Sequence, residues 1–147
     1  ESFACGITKP LSAETLYRSM LIALGHVPST EGRFAHVDEK ALRSLVARVY
    51  PDVFPETFSP RATEALLYSN NEMVDALMNF GDGSLLQTLR EQTNVEDAVQ
   101  HAFLRVYGRT TAPDELAACS TFVSGNPERF KHLLWSLITS SEFRFNH

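Results

Sequence analysis

The sequence predicts an all-α fold, a single compact helical domain over residues 1–147 with about seven or eight helices in an orthogonal or irregular bundle. Three features predict it. Helix caps and Gly or Pro stops recur along the chain. Between them, apolar residues return every three or four positions. No segment alternates with period two for long enough to read as a strand. The chain is 44% hydrophobic over 147 residues, with ten Phe, four Tyr and one Trp. That is enough apolar material for one core and too much for a disordered chain.

The first helix opens at Leu11-Ser12-Ala13-Glu14-Thr15-Leu16. Ser12 stands at the cap, Glu14 near the positive end of the helix dipole, and Leu11 at stapling distance from Leu16. Leu16, Met20, Ala23 and Leu24 share a face, and Gly25 can close the helix in the left-handed conformation. The segment from His26 to Val37, with Pro28, Ser29, Thr30 and Gly32, reads as a loop. Asp38 starts a second helix with the stripe Leu42, Leu45, Val46 and Val49. Pro51 and Pro55 end it and force an extended stretch that carries Phe54 and Phe58. This stretch is a soft break rather than a domain boundary, because neither side is large enough to be comfortable alone.

Ser59-Pro60 places a cap before a Pro at the first helical position, ahead of Ala62, Ala65 and Leu66. Asn70-Asn71 can cap a fourth helix bearing Met73, Val74, Leu77 and Met78. After the turn Gly81-Asp82-Gly83, Ser84 caps a short helix with Leu85, Leu86 and Leu89. Asn94 opens the sixth, with Glu96 and Asp97 in its first turn, the face Ala98, Val99, Ala102, Phe103 and Val106, and Gly108 as stop. Thr111 or Ala112, before Pro113-Asp114-Glu115, opens the seventh, which ends at Gly125. Asn126-Pro127-Glu128 opens the last, with Phe130, Leu133, Leu134, Leu137 and Ile138 in its stripe and Trp135 offset. Ser140–His147 reads as a tail carrying Phe143 and Phe145.

A net charge of -5 with scattered basic residues argues against nucleic-acid binding, which needs clustered Lys and Arg. No apolar run approaches the roughly 18 residues of a membrane span, so no membrane insertion is expected. The chain begins Glu1-Ser2-Phe3 without an initiator Met, which reads as a mature piece or an excised domain.

The sequence offers no recognisable catalytic residue, cofactor site or metal site. None of His26, His36, His101, His132 and His147 pairs at i, i+4. His101 and His132 read as helix residues at the solvent edge, and His26 and His36 as a weak metal pair at best. Gly81–Ser84 lacks the Lys and the preceding strand of a phosphate loop. Met20, Met73 and Met78 read as core filling. Cys5 has no neighbouring base, and Cys119 reads as a small core residue. The two are either free thiols or a single bridge, which would be worth about 4 kcal/mol over so long a loop. Trp135, Phe143 and Phe145 are expensive to leave in water, at about 1.5–3 kcal/mol for a large side chain. They must dock on this domain or on a partner, so Phe54, Phe58, Trp135, Phe143 and Phe145 are the candidate interface.

Four phrases carry a family resemblance: Thr8–Leu16 (TKPLSAETL), Arg61–Asn71 (RATEALLYSNN), Val106–Leu116 (VYGRTTAPDEL) and Leu133–His147 (LLWSLITSSEFRFNH). The chain resembles the C-terminal part of the planctomycete domain-of-unknown-function family numbered 1553. Ala112 stands where that family's pattern has Thr, and Ser141 where it has a charged residue before Glu-Phe. The resemblance implies a C-terminal domain of a long exported protein, set beside cytochrome-c-like and other modules. It implies an extracytoplasmic location, where a Cys5–Cys119 bridge is more plausible. No activity is established for the family, so the resemblance implies no catalytic residues.

The function expected is therefore a non-catalytic helical module of a larger exported protein, packing on companion domains of the same polypeptide or binding a protein partner. A second class is a polysaccharide-binding domain, whose stacking faces could come only from Trp135, Tyr17, Tyr50, Tyr68 and Tyr107. A third is a share of a composite active site formed with another domain.

Overall fold

The computed structural model describes residues 9–26, 40, 44, 78 and 84–146. Their architecture is all-α. Helix α1 spans Ala13–Ala23, α2 Leu85–Glu91, α3 Val95–Tyr107, α4 Pro113–Val123, α5 Arg129–Thr139 and α6 Ser141–Arg144. Two short strands, β1 (Lys9–Pro10) and β2 (Phe145–Asn146), pair antiparallel with Lys9 opposite Asn146 and Pro10 opposite Phe145. The expected second, third and fourth helices lie outside the described residues, except that Lys40, Ser44 and Met78 are helical.

Local chemistry sets the helix boundaries. The Thr15 N–H donates to Ser12 Oγ at 3.2 Å and the Gln87 N–H to Ser84 Oγ at 3.2 Å. The Glu96 N–H donates to Asn94 Oδ1 at 2.9 Å. Each bond satisfies an amide that the first turn would otherwise leave orphaned. At the other end of α3, Gly108 has φ 72° and its N–H reaches the Leu104 carbonyl, a left-handed cap that a Cβ would strain.

The start of α4 is built differently. Ala112 holds the cap position and has no side-chain oxygen to offer, so Glu115 reaches back and accepts from the Ala112 N–H at 2.7 Å. This is half of a capping box. Thr111, the other candidate, has its Oγ1 buried without a hydrogen-bond partner. Ahead of α5, Asn126 Oδ1 accepts from the Glu128 N–H at 3.0 Å, and turn bonds from Arg129 to Asn126 and from Phe130 to Pro127 wind the chain into the helix.

The core sits around α3, which packs on α2, α4, α5 and α6. Its buried face, Ala98, Val99, Ala102, Phe103 and Val106, meets Leu85, Leu86 and Leu89 of α2 and Phe130, Leu133, Leu134, Leu137 and Ile138 of α5. From α1 come Leu16, Tyr17, Met20, Leu21 and Ala23, followed by Leu24, and Met78 joins the same cluster. The small residues Ala98 and Ala102 let helices approach closely, and the Leu and Ile side chains fill the space between them.

Ser140–Asn146 departs from the tail that the sequence predicts. Ser140 ends α5 and caps α6, accepting from the Phe143 N–H at 3.2 Å. The single turn of α6 then leads into β2. Pairing of β2 with β1, and the bond from the Leu11 N–H to the Arg144 carbonyl at 2.9 Å, tie this end of the chain to the residues that precede α1. A two-residue strand leaves no alternation to detect, so sequence periodicity could not find it.

Candidate functional site

Among the described residues, the densest polar cluster joins the end of α3, the start of α4 and α6. Gly108 turns the chain out of α3, so Arg109 folds back over the last turn of that helix. Its guanidinium carbon lies 5.4 Å from the centre of the Phe103 ring and 5.4 Å from that of Tyr107. Those two rings meet edge-on, with centroids 5.4 Å apart and planes at 80°, a favourable quadrupole arrangement.

Two carboxylates then grip the guanidinium. Glu142 takes Nε through Oε1 and Nη2 through Oε2, the latter at 2.8 Å. Glu115 takes Nη1 and Nη2, each at 2.8 Å. The Thr110 carbonyl accepts from Nη1 at 3.0 Å. All five N–H donors of Arg109 are thereby occupied. Beside them the Tyr107 hydroxyl lies 2.9 Å from Ser140 Oγ and 3.2 Å from the Leu137 carbonyl oxygen.

The electrostatics follow from this packing. The Arg109 bonds, and then the Ala112 N–H, hold the Glu115 carboxyl down to about 2. The same two carboxylates keep Arg109 firmly charged. Burial pushes the Tyr107 hydroxyl above its ordinary value. One cation and two anions leave a single net negative charge, and the cation has no donor left for an incoming anion. Chemically the cluster is a clamp: it fixes α6 and the start of α4 against the end of α3.

Next to the clamp lies an open groove of about 410 Å³, lined by Ser19, Ile22 and Ala23 of α1, Arg105, Val106 and Tyr107 of α3, and Glu142, Phe143 and Phe145. Arg105 crosses from α3 to α1, donating from Nη2 to the Ile22 carbonyl at 3.3 Å. Ile22 is 52% exposed. Leu104 and Phe122 are the other large apolar side chains in solvent among the described residues, and Phe122 lies under the Arg129 guanidinium at 5.7 Å.

The sequence-predicted interface residues separate. Phe143 is buried in the core, so of the two alternatives, its own domain or a partner, its ring is docked on its own domain. Trp135 is half-buried and packs against the same core. Phe145 is half-buried at the groove. Phe54 and Phe58 lie outside the described residues. So does Cys5, while Cys119 is a half-buried free thiol. Of the aromatic residues considered for sugar stacking, Tyr17 is buried and Tyr107 is enclosed in the clamp, while Tyr50 and Tyr68 lie outside the described residues.

His26 is buried and His36 lies outside the described residues. His101 pairs with the Gln92 side chain at 2.9 Å, and His132 is exposed. Among the described residues no three His, Cys, Asp or Glu side chains gather in a way that could hold a metal ion, and no helix is long and apolar enough to cross a membrane.

Sequence reasoning missed Arg109 and Glu142 and read Glu115 only as a favourable charge in a first helical turn. Arg109 and Glu142 are 33 residues apart, and no local spacing links them. The signal available was indirect: both stand inside the phrases on which the family resemblance rests. Among the described residues, fold and site together define an all-α unit with a polar cluster closed on itself. Comparison with protein-family models, with curated proteins and with solved structures finds no match to this chain.

Proposed function

We propose that this chain is a non-catalytic helical module of a larger exported protein, related to the C-terminal part of the planctomycete family numbered 1553, and that it packs on companion domains or a protein partner. In this reading the whole chain is an orthogonal or irregular bundle of about seven or eight helices working outside the cytoplasm. The observation that carries it is the saturation of Arg109. Among the described residues, the most concentrated set of charged groups is committed to internal bonds and so is disposed to hold a fold rather than turn over a substrate. The groove beside it offers apolar walls at Ile22 and Phe145 to a neighbour.

The test uses the full-length gene product. This module and the remainder of the polypeptide are produced separately and mixed in a calorimeter. Saturable binding is expected, weakened at least about tenfold by Ile22→Asp, in line with loss of an apolar anchor. Absence of binding, together with unchanged amide exchange around Ile22 and Phe145 when the module belongs to the full-length protein, refutes the proposal.

A further inference from the structure

We infer that the groove beside the clamp takes a protein segment in which an apolar side chain stands next to a carboxylate, and that Arg105 reads the carboxylate. The inference rests on the module reading and names the chemistry of the segment that the module meets.

The groove has two kinds of wall. Ile22, Ala23, Val106 and Phe145 are apolar, and Ile22 and Phe145 keep part of their surface open. Covering such surface is favourable, so this wall fits an apolar side chain of the partner. Two charged residues also line the groove, Arg105 and Glu142. They differ in what they have left to offer. Both oxygens of Glu142 are held by Arg109. Arg105 is exposed and makes one long bond, from Nη2 to the Ile22 carbonyl at 3.3 Å. Among the described residues no carboxylate pairs with it.

That long bond is expendable. The Ile22 carbonyl already accepts from the Gly25 N–H at 3.1 Å, so the end of α1 keeps a partner when Arg105 turns away. The Arg105 guanidinium then presents a planar fork of N–H donors, which a carboxylate can take two at a time. Arg109 shows this pairing twice within the same fold. A neutral amide offers that fork one oxygen and no charge, and a Lys or Arg of the partner would meet it as a like charge. The clamp carries one net negative charge, but its carboxylates turn their acceptors to Arg109, so short-range pairing at the groove falls to Arg105.

Two blocked peptides of one shape, acetyl-Leu-Asp-amide and acetyl-Leu-Asn-amide, test the inference by NMR titration of the full 147-residue chain at low ionic strength. The Asp peptide is expected to shift the Ile22, Val106 and Phe145 amides and to bind about fivefold more tightly than the Asn peptide, the advantage of one exposed charge-assisted pair. Salt at about 0.5 M should erase that advantage. Arg105→Gln should erase it too, and Arg105→Lys, which keeps the charge without the fork, should retain part of it. Arg129→Gln, a change outside the groove, should leave it intact. The inference is overturned if the two peptides bind the wild type equally, if neither binds, or if the advantage survives Arg105→Gln. Titration with the remainder of the polypeptide separates this result from the module reading: binding there that depends on Ile22 and not on Arg105 supports the module and overturns the carboxylate.

Discussion

The Glu115 carboxylate gives the sharpest test of the clamp. Its folded value of about 2 lies below the ordinary 4.5. A depressed carboxyl contributes stability that is fully present above about pH 4.5 and is lost as the pH falls toward 2. If the group were sealed from water, that difference would be worth about 3 kcal/mol. With the Glu115 side chain 36% exposed, solvent screening reduces the figure to about 1 kcal/mol. Glu115→Gln keeps the shape and an acceptor for the Ala112 N–H but removes the charge. Urea unfolding of both proteins from pH 7 to pH 2 should show the variant about 1 kcal/mol less stable at pH 7. The gap should close as the wild type is acidified through pH 4 to 2. A gap that stays constant across this range, or widens on acidification, refutes the assignment of that stability to the Arg109 pairing.

Three further outcomes are expected. Leu134 of α5 is fully buried in the core, so Leu134→Ala should cost about 3 kcal/mol in urea unfolding by leaving a cavity. Gly108→Ala should cost about 1 kcal/mol from its backbone alone, since φ is 72° and a Cβ there would meet nothing within 4 Å; Gly108→Asn should cost less, and thermal melts will order the two. Burial, and then the Glu115 charge, push the Cys119 thiol upward. In a Cys5→Ser background its reaction with a thiol reagent at pH 7.5 should therefore run several-fold slower than that of a free cysteine, and match it in denaturant.

Most of what was legible in the sequence is short-range. Ser12, Ser84 and Asn94 cap where they should because a cap is an interaction between residues two or three apart, and Gly108 stops α3 because its left-handed turn is a property of one residue. The stripes on α3 and α5 became the core because burying them is the strongest drive available to such helices. The clamp was invisible for the opposite reason. Arg109 meets Glu142 only after α4 and α5 have folded back, and an isolated Arg or Glu in a sequence does not announce its partner. The β1–β2 pair and α6 escaped because they are shorter than the periods by which helices and strands are recognised. Phe143 shows the same limit: its bulk demanded burial, but hydropathy alone could not say whether its own domain or a neighbour would supply the cover.

The antiparallel register of Lys9 with Asn146 has a mechanical consequence. A pull applied to the backbone at these two residues loads their pairing from one end, so the bonds break in succession, as in a zipper, instead of sharing the load in shear. Among the described residues, tension applied there would therefore peel this seam before it reaches the helices.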